Sequence, residues 1–221
     1  MPGLPIYKGA LPWITVTLAL AVASGILAKK TSSIPLLLLT ILTTTLTLLL
    51  ITFFRDPERR ADPAEIAALG TSEPVLSPAD GTITDITPTG GMVRIGIFMS
   101  PLDNHIQRNP LNGTAVSVEH SGSKFLAAFD PKARDVNVSV TLTARHATLG
   151  TYRVRQITGL LARRIRTWVT PHQPLHIGER LGMILLGSRV ELELPQDKVT
   201  LKVALKSKVY AGTTIIATYD D

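Results

Sequence analysis

A chain of 221 residues has room for one ordinary domain and a smaller appendage. Its mean hydropathy of +0.24 with only 18% charged residues is too apolar for a chain that meets water along its whole length. The absence of cysteine excludes a disulfide framework and a thiolate metal site. A net charge of +6 raises nucleic acid as a partner, but no aromatic stacking platform or recognition module accompanies it, so nucleic acid is not expected.

Residues 11–28 and 34–54 are two stretches without a single charge. The first just reaches the length needed to cross a hydrocarbon core, and the second exceeds it. A secretory signal would have one such stretch and a small-residue cleavage site, so the pair predicts a transmembrane hairpin over residues 1–54. The alternative is a helical hairpin buried in a globular core. Ser33 is the expected N-cap of the second helix, Pro35 suits its first turn, and Thr43, Thr44, Thr45 and Thr47 can bond back to their own helix. Lys8, Arg55, Arg59 and Arg60 lie on one side of the hairpin, with Lys29 and Lys30 on the other. That excess predicts both termini, and the domain that follows, on the cytoplasmic side of the cell membrane. The glycosylation patterns at Asn112 and Asn137 should be silent there.

Residues 55–74 turn charged and proline-containing and read as a linker, with a short helix over 63–69. From residue 75 to 221 the pattern is short and extended. Strands are expected at 82–86, 92–99, 114–118, 136–143, 151–158, 189–194, 199–203 and 213–218. Strands so spaced predict a mainly β domain, a sandwich or barrel. The one expected helix covers 159–166, and 124–128 is ambiguous. No acidic residue occurs from 145 to 178, where Arg145, Arg153, Arg155, Arg163, Arg164 and Arg166 fall. Such a face is either simply solvated or drawn to anionic headgroups.

Residues 182–195 read as strand, tight turn, strand. Apolar residues lead into Gly187-Ser188, and Val190, Leu192 and Leu194 then alternate inward against Glu191 and Glu193 outward. Glycine leaves its own carbonyl open to approach, and a serine hydroxyl set against that carbonyl can attack the preceding peptide bond. Asp80 sits in a proline-glycine turn, Ser77-Pro78-Ala79-Asp80-Gly81, and His105 follows an apolar strand amid polar residues. An aspartate, a histidine and a serine from separate turns can form a nucleophile, base and orienter. By spacing alone all three could equally be turn-formers or satisfied polar residues.

Several motifs agree in order and spacing: Phe54-Arg55-Asp56-Pro57, the Ser77 to Gly81 turn, Asn104-His105 with Arg108-Asn109-Pro110, Ala162-Arg163-Arg164-Ile165, and residues 182–195. Together they resemble the short, membrane-anchored class of phosphatidylserine decarboxylases, including the archaetidylserine decarboxylases. The resemblance covers nearly all of residues 50–221. It implies a barrel or sandwich-hybrid-like catalytic domain that cuts itself between Gly187 and Ser188. The products would be residues 1–187 and residues 188–221, which stay associated, the second capped by a pyruvoyl group made from Ser188. That covalent group would form a Schiff base with a serine phospholipid and release the ethanolamine lipid. His105 would serve as base and proton donor, and Asp80 would orient it. The basic candidates for holding the lipid phosphate are Arg108, Arg163 and Arg164.

Longer members carry a second histidine where this chain has Arg108, and a threonine where it has Arg189. His172 and His176 have helical spacing, but Pro171 and Pro174 argue against a helix, so no metal site is expected. A homodimer is the default assembly. Two other readings stay open: a membrane-tethered serine hydrolase, although the Gly-x-Ser-x-Gly elbow is absent, and a non-enzymatic anchored β-barrel adaptor.

Overall fold

The computed structural model describes residues 6–127, 130, 132–160, 164–185 and 188–220. The chain divides into two compact units, residues 1–58 and 59–221.

In the first unit, α1 (Leu11–Thr31) and α2 (Ile34–Phe53) pack together, and both are long and apolar enough to cross a membrane. Helix α1 runs past the uncharged stretch to include Lys29 and Lys30, whose cations suit the negative end of a helix. Ser32, at φ 51, ends it in the left-handed conformation. Ser33 occupies the N-cap position of α2 but, contrary to expectation, its side chain makes no capping bond; its carbonyl accepts from Leu37 N at 3.1 Å. Small residues let the helices approach. Thr40 Oγ1 donates to Ser24 Oγ at 2.9 Å, and Ser24 and Ala21 are buried. Thr43 and Thr47 bond back to the carbonyls of Leu39 and Thr43, as their positions predict. The bulky side chains, among them Trp13, Leu20, Leu38 and Leu42, face outward. A helix pair in a soluble core would bury these, so an apolar surround suits this unit.

The second unit begins with α3 (Pro63–Ala67), whose first turn is capped by Asp62 Oδ1 accepting from Ala64 N at 2.9 Å. There follow β1 (Ser72–Leu76), β2 (Gly81–Thr89), β3 (Met92–Met99), β4 (Ile106–Arg108) and β5 (Gly113–Ser121). After α4 (Ala133–Val136) come β6 (Ser139–His146), β7 (Gly150–Ile157), β8 (Ile165–Thr167), β9 (Pro174–Leu175) and β10 (Arg180–Ile184). The last are β11 (Ser188–Pro195), β12 (Thr200–Leu201), β13 (Lys208–Val209) and β14 (Ile215–Asp220). An eight-stranded sheet has the order β13-β2-β3-β11-β7-β6-β5-β9, and two three-stranded sheets run β4-β10-β8 and β1-β14-β12. The architecture is mainly β, as the strand pattern predicts.

Alternation decides the core. Ile95, Ile97 and Met99 of β3, Val190, Leu192 and Leu194 of β11, and Tyr152 and Val154 of β7 are fully buried on one face. Each large apolar side chain so buried contributes about 1.5–3 kcal/mol.

Four expectations are corrected. Residues 182–195 are not a hairpin: β10 pairs with β4 and β8, whereas β11 pairs with β3 and β7. Both flanks are apolar and buried, and such a pattern specifies a strand without specifying its partner. Of the helix expected over 159–166, residues 161–163 lie outside the described residues, 159, 160 and 164 are not helical, and β8 takes Ile165 and Arg166, which pair with Ile184 and Met183. Tertiary pairing overrides the local preference there. Glu191 lies on the outer face, as expected, yet its side chain is wholly buried beneath arginines. The stretch expected as a linker also contributes to the sheets, since Ser72, Glu73 and Pro74 pair with β14.

Candidate active site

The chain passes from one sheet to another between β10 and β11, and Ser188 is the first residue of the receiving strand, paired with Met99. Gly187 and Arg163 lie outside the described residues. Ser188 is fully buried, and its Oγ donates to Met99 Sδ at 3.3 Å, its one hydrogen-bond partner among the described residues. A thioether is a weak acceptor, so the hydroxyl is not committed to a strong bond.

His105 is equally buried. The turn before it is built by its own side chains. Pro101 presets the chain after Ser100, and Asp103 Oδ2 accepts from Ser100 N at 2.8 Å. Asn104 Oδ1 accepts from Ile106 N at 2.9 Å. His105 Nδ1 donates to the Asp103 carbonyl at 2.8 Å, which leaves Nε2 as the basic nitrogen. The His105 carbonyl accepts from Ile184 N at 3.2 Å, just ahead of the sheet junction.

Two glutamines that the sequence does not single out join these pieces. Gln107 Nε2 donates to the His105 carbonyl at 2.8 Å and approaches Met99 Sδ at 3.6 Å. Gln156 Nε2 donates to Gln107 Oε1 at 2.7 Å, tying β7 of the large sheet to β4 of the small one. Both are buried, and Gln156 follows Tyr152 and Val154 at a position of β7 where alternation calls for an apolar side chain, the signal that could have found it; Gln107, in a three-residue strand, has no such signal. Ser188, Met99, Gln107 and His105 thus form one contiguous buried cluster.

Asp80 is placed differently. Its Oδ2 accepts from Arg59 Nη2 at 2.9 Å and its Oδ1 from Ala211 N at 2.8 Å. It therefore binds residues far apart in the chain on either side of the turn it occupies. Arg59 lies in the stretch expected as a linker, and nothing local in the sequence marks it as a partner.

Asp103 is also held by Lys208, whose Nζ lies 2.7 Å from Oδ1. Burial alone would raise the Asp103 carboxyl, but the Lys208 ammonium and the Ser100 amide outweigh it and hold the group below its ordinary 3.8. A depressed carboxyl contributes stability above its unfolded pKa, and that contribution is lost as pH falls through the folded value. Lys208→Met removes part of the depression, so the acid limb of stability and activity is expected to move to higher pH. A pH series of thermal midpoints on wild type and variant checks the direction.

Of the basic candidates, Arg108 is buried, with Nη1 donating to the Gly178 carbonyl at 3.0 Å, and Arg164 is exposed. Arg153 and Arg155 of the basic stretch are engaged on the sheet, by Glu193 and by Ser139 with the Arg134 carbonyl. A cavity of about 420 Å³ is lined by Arg59, Arg60 and Glu73 together with the apolar Ile66, Leu76 and Ile177 among others. Arg60 there is exposed and has no partner among the described residues. His146 is structural: its Nδ1 accepts from Leu149 N at 3.2 Å and its ring meets Tyr219. His172 has φ 67, which breaks the helical spacing with His176. No group of three or more His, Cys, Asp or Glu converges among the described residues.

The chain thus joins two helices long and apolar enough to cross a membrane to a mainly β unit with a buried serine at a sheet junction. The phosphatidylserine decarboxylase family profile matches residues 46–217, and the chain belongs to that family of decarboxylases. A phosphatidylserine decarboxylase proenzyme of Streptomyces coelicolor is 36% identical over 217 residues, covering 98% of this chain and 93% of the relative. A protein of Methanosarcina mazei, provisionally named an archaetidylserine decarboxylase proenzyme, is 33% identical over 216 residues, covering 96% of each. A phosphatidylserine decarboxylase proenzyme of Chlorobium chlorochromatii is 38% identical over 175 residues, covering 76% of this chain and 77% of the relative.

Proposed function

We propose that this protein removes carbon dioxide from a serine phospholipid at the cytoplasmic face of the membrane, using a pyruvoyl group made from its own Ser188. The observation that carries the reading is the weakly bonded, buried Ser188 hydroxyl at the start of β11, contiguous with the His105 turn. The residues fit the group: a ketone at this position would lie in a water-poor pocket beside Met99 and Gln107.

Ser188 Oγ attacks the Gly187 carbonyl, and the amide becomes an ester as the C–N bond breaks. His105 Nε2 takes the hydroxyl proton and returns it to the freed nitrogen. Loss of the Ser188 Cα proton then expels the Gly187 carboxylate and leaves dehydroalanine. Tautomerisation and addition of water release ammonia and leave the ketone. That ketone, held at the start of β11 beside Met99 and Gln107, would supply the electron sink for loss of carbon dioxide from the carbon bearing the substrate amine. His105 then delivers the proton to the substrate carbon. We assign Asp80 a positioning role through Arg59 and Ala211. Arg60, which lines the cavity, joins Arg108, Arg163 and Arg164 as a candidate for the lipid phosphate. The names of the relatives leave diacyl and ether lipids as equal substrates, since either tail suits an apolar surround.

Intact-mass analysis of the purified full-length protein tests the reading. The expected result is two chains, residues 1–187 and residues 188–221, the second with a blocked N-terminus. Its mass should shift when cyanoborohydride is added with phosphatidylserine. A folded chain that stays whole would sink the proposal and favour a serine hydrolase.

A further inference from the structure

The outer face of β11 carries a charged row that the chemistry above does not use. Arg189 Nε donates to Glu191 Oε1 at 3.0 Å and Nη1 to Thr84 Oγ1 at 3.1 Å, while Nη2 binds Asp85 Oδ2. Glu191, wholly buried, also takes Arg134 Nε at 3.0 and 3.1 Å on its two oxygens.

The backbone is shaped for this. Asp85, Gly96 and Glu191 stand in one register row across β2, β3 and β11. A bulge between Ile83 and Asp85 re-aims the aspartate. Gly96, the middle member, has no side chain, and a Cβ there would collide with both Asp85 Oδ2 and Arg189 Nη2. The guanidinium lies across the gap.

Strand pairing shows why residue 189 matters. β11 pairs with β3 from Ser188 onward but with β7 only from Arg189 onward. Residue 188 is held from one side. If the chain is cut before it, as the proposed function requires, it becomes a chain end that has also lost its amide nitrogen. Strand ends fray unless tied down.

We infer that Arg189, clamped by Asp85, Thr84 and Glu191 over Gly96, is a positioning residue that holds the ketone-bearing end of the small chain in place after cleavage. A displacement of about 1 Å at a reacting group costs on the order of 100-fold in rate. The clamp therefore acts on turnover by the cut enzyme and not on the cut itself.

The test uses full-length protein in detergent micelles: wild type, Arg189→Gln, Asp85→Asn, the double variant, and Arg153→Gln as a control on the same face. Intact mass reports cleavage, phosphatidylserine in mixed micelles reports kcat and KM, and hydrogen exchange reports the amides of residues 190–192. Both single variants are expected to cleave fully. Their kcat should fall about 10- to 100-fold with KM changed less than about 3-fold. The double variant should be no worse than the poorer single, because the two side chains act as a unit. Exchange should quicken in the cut protein and not when Arg189→Gln is placed on an uncut Ser188→Ala chain, and Arg153→Gln should match wild type. A fully cut Arg189→Gln with wild-type kcat overturns the clamp alone. So does loss of cleavage with exchange raised equally in the uncut chain. A wild-type chain that stays whole overturns the clamp and the proposed function together.

Discussion

Ser188→Ala is expected to yield a single folded chain of 23.8 kDa with no decarboxylase activity, a loss of at least about 10⁴-fold. Among the described residues the hydroxyl that is removed donates only to the Met99 thioether, so the fold should lose no more than about 1 kcal/mol. Ser188→Cys keeps a nucleophile in the same place and should cut slowly. Denaturing gels and intact masses, read beside thermal midpoints, separate failure to cut from failure to fold. A Ser188→Ala chain that still divides at this bond would remove Ser188 from the chemistry altogether.

Asp80→Ala should be the most damaging change outside the serine. It strands the Arg59 guanidinium and leaves the buried Ala211 amide without its acceptor. Breaking a buried ion pair costs about 3–5 kcal/mol, and Arg59, still partly exposed, places this one toward the lower end. Asp80→Asn keeps an acceptor for Ala211 and should fall between. If Asp80 positions, cleavage and thermal midpoint should fall together, and Arg59→Gln with Asp80→Asn should be less than additive. Lost cleavage with an unchanged midpoint would instead give Asp80 a direct part in the chemistry.

Much of this is legible where one stretch of chain carries its own signal. The two uncharged runs mark α1 and α2, the apolar run of β3 marks its strand to the residue, and alternation marks β11. The serine, the histidine and the aspartate can be picked out by turn chemistry and by resemblance. What stays hidden depends on partners distant in sequence. The short strands β4, β8 and β9 have too few residues to show a period, and β8 reads as helix because Ile165 and Arg166 fit either. Arg59 reaches Asp80 from what looks like a linker, and Lys208 reaches Asp103 across half the chain. Glu191 reads as a solvent-facing residue because alternation assigns a face, and a face is not the same as exposure.

The central position of β11 between β3 and β7, with β14 likewise in the middle of its sheet, has a consequence for the lifetime of the enzyme. A cut between 187 and 188 turns one folding chain into two whose reunion depends on concentration. Refolding of an uncut chain would be a unimolecular event. A cut protein, once opened, would release a short segment without an apolar span, and dilution would make the loss permanent. Activation would thus convert a reversible equilibrium into a one-way clock set by the unfolding rate.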